Sequence, residues 1–120
     1  MATILIVDDS KSETALMQSI AEQLGHSVIT ADNGRSGAQM AEQFKPSLVL
    51  LDIVMPEQDG FVTCRQIKKN PVTSQIPIVL VSSKSGESDQ FWGLRQGASD
   101  YITKPFAPES LAGVMYKHLS

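Results

Sequence analysis

Hydrophobic and polar positions follow one another along the chain in blocks that predict strands and helices in alternation. Short apolar runs rich in β-branched residues predict strands at 3–7 and 27–31. The run at 48–51 is apolar at every position, as strands covered on both faces are, so we expect it at the centre of a parallel sheet. A second fully apolar run at 76–81 and a short one at 101–103 complete five predicted strands.

Apolar residues at helical spacing predict a helix after each of these strands. Asp9 or Ser10 is suited to cap the first helix, and Gly25 is suited to end it. Ser85 or Ser88 is expected to open the fourth helix. The predicted helices span, in chain order, residues 10–24, 36–44, 61–70, 85–96 and 108–119.

Five successive βα units predict an α/β fold, with a doubly wound parallel sheet and helices on both faces. No linker, repeat or low-complexity segment divides the chain, so we expect one domain over residues 1–120. In such sheets ligands bind at the carboxyl ends of the strands, near the point where the strand order reverses. Functional side chains are therefore expected directly after strands.

The composition narrows the class of protein. The 120 residues are 42% apolar and 19% charged, as in globular proteins rather than disordered chains. A net charge of −3 and the lack of a basic cluster disfavour nucleic-acid binding. The apolar runs are too short for membrane insertion, and the N-terminus lacks the pattern of a secretory leader. The single cysteine, Cys64, is most simply a small core residue. Because one cysteine cannot form an internal disulfide, we expect a protein of the reducing cytoplasm.

Polar and charged residues stand at the ends of four predicted strands. Any one acid in such a position could merely cap a helix. Together the set predicts three carboxylates, a hydroxyl and an ammonium at one edge of the sheet. In chain order these residues are Asp8 and Asp9 after the first strand, Asp52 after the third, Ser82 at the end of the fourth and Lys104 after the fifth.

Three carboxylates packed together repel one another, which would raise the pKa of at least one of them. Two cations could relieve this repulsion. Lys104 is one, and a hard divalent ion with oxygen ligands, such as Mg²⁺, is the other. No cluster of Cys and His residues suggests zinc. A carboxylate nucleophile, a metal ion and a fixed cation are the parts of a phosphoryl-transfer site.

Four segments resemble the receiver domain of two-component response regulators. They are ILIVDDS at 4–10, LLDIVMP at 50–56, DGF at 59–61 and GASDYITKPF at 97–106. The resemblance implies a flavodoxin-like sheet with the strand order 2-1-3-4-5. It also implies a stand-alone, chemotaxis-type signalling switch, which accepts a phosphoryl group and is not an enzyme acting on other molecules.

The resemblance assigns roles to the residues after the strands. Asp52 matches the phospho-acceptor, Asp9 a direct metal ligand and Asp8 an acid that holds a metal-bound water. Val54 would offer only its backbone carbonyl to Mg²⁺, because its side chain is apolar. Lys104 matches the lysine that pairs with the phosphoryl group.

A second part of the resemblance concerns switching. Ser82 matches the hydroxyl that bonds a phosphoryl oxygen, and Tyr101 matches an aromatic ring that changes rotamer with it. Alternatively, Tyr101 is a static, half-buried ring. The resemblance also implies a cis bond between Lys104 and Pro105, although sequence alone does not reveal the isomer.

The resemblance further implies a histidine kinase as phospho-donor. His26 and His118 stand at a turn and near the C-terminus, and we interpret both as surface residues. An effector protein is expected to bind the face made by the fourth helix, fifth strand and fifth helix of a monomer. One alternative is a phosphate sink, which drains a shared kinase without an effector. A flavin-binding protein is disfavoured, because acids replace the Ser, Thr and Gly of a phosphate-binding loop.

The segment at 91–98, FWGLRQGA, is similar to regulators of type IV pilus twitching motility of the PilH kind. If Gly93 and Gly97 face inward, Trp92 points sideways from its helix. A partly exposed tryptophan is suited to anchor a partner protein. Packing of Trp92 against a neighbouring helix is the alternative.

Overall fold

The computed structural model describes residues 2–55 and 58–119. Strands and helices alternate through the described chain, as predicted. The elements are β1 (Thr3–Val7), α1 (Lys11–Gln23), β2 (Ser27–Ala31), α2 (Gly34–Phe44), β3 (Leu48–Leu51), α3 (Gly60–Lys69), β4 (Ile78–Ser82), α4 (Glu87–Arg95), β5 (Asp100–Thr103) and α5 (Pro108–Leu119).

The strands form one parallel sheet in the order β2-β1-β3-β4-β5. This confirms the flavodoxin-like order. All four residues of β3 are buried, which agrees with its predicted place at the centre of the sheet. Pro56, the last residue of the motif at 50–56, lies outside the described residues.

The sheet separates two hydrophobic cores. Successive strand residues point to opposite faces, so Ile4 and Ile6 lie in one core and Leu5 and Val7 in the other. Helices α1 and α5 contribute buried residues to the first core, and α2 and α3 to the second. Cys64, on α3, is fully buried as predicted, and its burial raises the pKa of its thiol to about 11.

Several element boundaries differ from the sequence prediction by one or two residues. Helix α2 begins at Gly34 because the Asn33 side chain accepts the N–H of Ser36 at 2.8 Å and caps the helix earlier. Strand β4 begins only at Ile78, because the Ile76 N–H donates to the Thr73 carbonyl in the preceding turn. Helix α4 begins after Gly86, which provides no side-chain cap.

The histidines are more covered than predicted. His118 Nε2 lies 3.3 Å from Asp100 Oδ2, and only 14% of its side chain is exposed. His26 accepts the Ala2 N–H at Nδ1 over 3.2 Å. Both rings therefore contact residues that are distant in sequence. Within residues 2–55 and 58–119, no helix is both long and apolar enough to cross a bilayer.

Gly60 allows the chain after β3 to fold back tightly. Its N–H donates to the Ile53 carbonyl at 2.8 Å. A Cβ atom on Gly60 would lie 2.1 Å from the Asp52 carbonyl oxygen, which is far inside van der Waals contact. Only glycine permits this approach, so Gly60 sets the path of the loop that carries Asp52.

We expect Gly60→Ala to lower the free energy of unfolding by about 2–3 kcal/mol, because backbone must move to admit the methyl group. Gly113→Ala is the matched control. A Cβ on Gly113, inside α5, would have no atom of the described residues within 4 Å apart from its own helix backbone and chain neighbours, so alanine there should stabilise by up to about 1 kcal/mol. Urea unfolding measures both changes, and a Gly60→Ala variant as stable as the parent would contradict this account of the loop.

Candidate functional site

The carboxyl ends of the strands bring together the residues singled out in the sequence. The backbone ladder continues one residue beyond three strands. The N–H of Asp8 donates to Ala31, that of Asp52 to Val7 and that of Lys104 to Ser82, at 3.0, 2.9 and 2.8 Å. The main chain of Asp8, Asp52 and Lys104 is therefore fixed by a hydrogen bond to the neighbouring strand.

Asp52 is buried, and its two carboxylate oxygens have different surroundings. Oδ1 accepts the N–H of Ile53 at 2.8 Å and that of Val54 at 3.4 Å. Oδ2 lies 3.6 Å from Lys104 Nζ, beyond hydrogen-bond distance. Burial raises the pKa of Asp52 above its usual range, and the charge of Asp8 adds to this, although Lys104 partly opposes it. The carboxylate is thus oriented by the backbone while Oδ2 has no short hydrogen bond to Lys104.

The three aspartates form an oxygen cluster suited to a hard cation. One carboxylate oxygen from each of Asp8, Asp9 and Asp52 lies within 4.8 Å of the others. Asp8 and Asp52 are buried, whereas Asp9 is exposed. An all-oxygen set of this kind fits Mg²⁺ or a similar ion. Val54 lies on the same loop with its side chain exposed, and the use of its carbonyl as a ligand stays a prediction.

Lys104 lies against the cluster, with 9% of its side chain exposed. Its Nζ donates to Asp8 Oδ2 at 2.7 Å and also to Glu13 Oε2. Burial alone would lower the pKa of Lys104, but the hydrogen bonds to Asp8 and Glu13 and the charge of Asp52 raise it above its ordinary value. Lys104 is therefore a fixed positive charge.

Glu13 is the site residue that our sequence reasoning missed. A signal was present, since Ser10 and Glu13 have the spacing of a capping box at the start of α1. That pattern predicts a local hydrogen bond between Glu13 and the Ser10 N–H. Instead the Ser10 N–H donates to Asp8 Oδ1 at 2.9 Å, and Glu13 contacts Lys104.

Ser82 and Tyr101 meet at one loop residue. Ser82 is fully buried, and its Oγ accepts the Lys84 N–H at 3.3 Å. The Tyr101 hydroxyl donates to the Lys84 carbonyl at 2.5 Å. Burial, chiefly, raises the pKa of Tyr101. Both predicted switch residues thus bond the same stretch of backbone after β4.

Helix α4 exposes a set of large apolar side chains. Trp92 is 50% exposed, and Phe91 and Leu94 are exposed to a similar degree. Gly93 faces inward, because a Cβ there would meet Leu80 and the Tyr101 ring. Trp92 is therefore not buried against a neighbouring helix.

Gly97 follows α4, and its φ of 106° is in the left-handed region that favours glycine, so this residue ends the helix. A Cβ atom on Gly97 would lie 2.8 Å from the Lys68 side chain of α3, so Gly97 also faces inward, against α3. The Lys104–Pro105 bond is cis, as the resemblance implies.

Comparison with known proteins identifies the family. A model of the response regulator receiver domain matches residues 4–115, and the chain belongs to this family. The chain is 50% identical to Protein PilH of Pseudomonas aeruginosa over 92% of both chains. It is 34% identical to Protein PilG of the same organism, over 97% of this chain and 86% of that protein. The structure of chemotaxis protein CheY4 of Vibrio cholerae matches 99% of both chains with a TM-score of 0.92 and 27% identity.

The raised pKa of Asp52 predicts that its ionised form destabilises the metal-free protein. The folded state holds the Asp52 proton more tightly than the unfolded chain, whose Asp pKa is about 3.9. Below about pH 3.9 the Asp52 carboxyl is protonated in both states, and its contribution to stability is complete. This contribution is lost as the pH rises from there through the higher pKa of the folded state. Asn at this position retains an acceptor for the N–H groups of Ile53 and Val54.

We expect Asp52→Asn to raise the free energy of unfolding at neutral pH by about 1 kcal/mol, the scale of one close, partly screened charge contact. The gain should vanish below about pH 4, where the unfolded-state carboxyl is also protonated. Urea unfolding in EDTA across this range measures it. Asp32→Asn, at an exposed acid, is the control. An Asp52→Asn protein less stable than the parent at neutral pH would show that the Asp52 charge does not destabilise the fold.

Proposed function

We propose that this chain is a stand-alone response regulator that accepts a phosphoryl group on Asp52 from a histidine kinase and then presents an altered surface to an effector. It would act as one domain over residues 1–120, as a cytoplasmic monomer. The observation that carries the proposal is the position of Asp52 Oδ2, 3.6 Å from the Lys104 ammonium and beside two further carboxylates. The similarity to PilH and PilG supports a role in type IV pilus motility or taxis.

The proposed chemistry is a displacement at phosphorus. Asp52 Oδ2 attacks the phosphorus of a phosphohistidine, an O–P bond forms and the P–N bond breaks. The imidazole leaves with the electron pair and takes up a proton. The N–H groups of Ile53 and Val54 keep Oδ1 in place, so the attacking oxygen is oriented before the donor arrives.

Charge is the main obstacle to this reaction, because a phosphoryl donor approaches a cluster of carboxylates. Lys104 offsets the charge that develops on the transferring oxygens. Asp9 and Asp52, with Asp8 acting through water and Val54 through its carbonyl, would hold Mg²⁺, which when bound supplies the additional positive charge. The product is an acyl phosphate, and attack by water on phosphorus later returns the carboxylate and inorganic phosphate.

Incubation with Mg²⁺ and acetyl phosphate should add one phosphoryl group at Asp52, located by mass spectrometry of the peptide. EDTA or Asp9→Asn should lower the labelling rate at least about tenfold, since the donor then meets uncompensated carboxylates. Asp32→Asn should be labelled like the parent, because Asp32 is exposed and is not one of the clustered carboxylates. Full labelling of Asp52→Asn would exclude Asp52 as the acceptor.

Switching would use the loop after β4. A phosphoryl oxygen on Asp52 would attract the Ser82 hydroxyl, which now accepts the Lys84 N–H. Loss of that contact would release the Lys84 backbone and, with it, the carbonyl that holds the Tyr101 hydroxyl. The phosphoryl group shifts the population only by as much as it binds the rearranged state more strongly.

The proposed output face is made by α4, β5 and α5. Its apolar side chains on α4 stand next to the switch, because the neighbouring Gly93 packs against Tyr101. A change in the Tyr101 rotamer would therefore alter the packing against the inner face of α4. Half-exposed aromatic residues of this kind are frequent anchors in protein interfaces.

We expect Trp92→Ala to leave labelling of Asp52 unchanged and to weaken effector binding at least about tenfold, as loss of an aromatic anchor does. Phe44→Ala is the control, because Phe44 is exposed to a similar extent at the end of α2. Pull-down with beryllofluoride-loaded protein identifies the effector, and calorimetry measures its affinity. Rapid phosphate turnover with no phosphorylation-dependent partner would instead indicate a phosphate sink.

A further inference from the structure

Lys104 is held on the α1 side of the acidic site. Its two hydrogen-bond acceptors are Asp8 and Glu13, whereas the nearer oxygen of Asp52 is 3.6 Å away. An ammonium group has three N–H donors. Two of them are therefore committed to carboxylates other than the proposed acceptor.

Local structure explains why Glu13 is available for this contact. Glu13 lies in the first turn of α1, where Ser10 caps the helix through the Glu13 N–H. In a capping box the glutamate would return to the Ser10 N–H. Asp8 Oδ1 already accepts that N–H at 2.9 Å. The Glu13 carboxylate is thus displaced from its usual helical partner and extends to Lys104.

The two partners of Lys104 differ in how easily they can release it. The Asp8 side chain is completely buried, so an unpaired charge there would be costly. The Glu13 side chain is 44% exposed, and water can replace the ammonium as its partner. When a second anion arrives at Asp52, Glu13 is the partner that can be released at low cost.

We propose that Glu13 is a positioning residue that restrains Lys104 beside α1 and competes with the phosphoryl group for its ammonium. This inference rests on the proposed function of Asp52. In the unphosphorylated protein Glu13 keeps Lys104 from a short contact with Asp52. It also adds a negative charge next to an anionic ligand, so both effects oppose phosphorylation. Removing the Glu13 carboxylate therefore favours the phosphorylated state.

Beryllofluoride with Mg²⁺, which mimics a phosphoryl group on a carboxylate, tests this competition at equilibrium. The apparent dissociation constant, measured by calorimetry, should fall about two- to fivefold in Glu13→Gln, the range for one partly exposed charge contact. Asp32→Asn removes an exposed acid that has no ion pair with Lys104 and should leave the constant unchanged. The affinity for Mg²⁺ alone is measured in the same three proteins, so that a change in metal binding can be separated from a change in beryllofluoride binding.

The Glu13→Asp variant distinguishes the effect of the contact with Lys104 from the effect of the negative charge at residue 13. Aspartate keeps the negative charge but is one methylene shorter, so it loses the contact with Lys104. If the contact restrains Lys104, Glu13→Asp binds beryllofluoride more tightly than the parent. Parental affinity in Glu13→Asp, with tighter binding only in Glu13→Gln, would show a general charge effect and overturn the proposal.

Different experimental results would refute the function of Asp52 and the role of Glu13. A parent protein that neither binds beryllofluoride nor accepts phosphate on Asp52 refutes the proposed function. A parent that does both, with Glu13→Gln binding beryllofluoride no more tightly, refutes only the role of Glu13. Urea unfolding of each variant verifies that an altered dissociation constant does not arise from a damaged fold.

Discussion

One ammonium group compensates the acidic edge of this protein. Asp8 and Asp52 are buried at the ends of neighbouring strands, where their charges repel each other and neither is fully hydrated. Lys104 arrives from β5, which is three strand positions from β1, or about 14 Å at about 4.8 Å per strand. The chain after β5 must turn inward over the edge of the sheet for Nζ to contact Asp8.

This arrangement leaves the site with excess negative charge in the metal-free state. Among the described residues, Lys104 lies within 4 Å of the carboxylates of Asp8, Glu13 and Asp52, and the exposed Asp9 adds a fourth carboxylate to the site. The pKa of Asp52 is raised chiefly by burial, with a smaller contribution from the charge of Asp8, and Lys104 only partly offsets the two. A divalent cation bound here, or a rearranged lysine, would therefore change the electrostatic energy of the carboxylates at this edge.

Much of the architecture was predictable because it depends on local patterns. Alternating periodicity predicted five βα units, and the fully apolar run at 48–51 was correctly placed at the centre of the sheet. Two of the boundary errors, in α2 and β4, arose where a specific hydrogen bond decided the outcome, as when Asn33 capped α2 two residues earlier than expected. His118 was misjudged because its partner, Asp100, is distant in sequence.

The sequence by itself determined which chemical groups meet at the edge, because parallel strands all present their carboxyl ends there. The order of residues along the chain was therefore enough to name Asp8, Asp9, Asp52, Ser82 and Lys104. Only the tertiary structure decided how they pair. The contact between Glu13 and Lys104 joins residues 91 positions apart and replaces a local capping contact. Such a choice depends on distances of a few ångströms between side chains from separate elements, which no local pattern encodes.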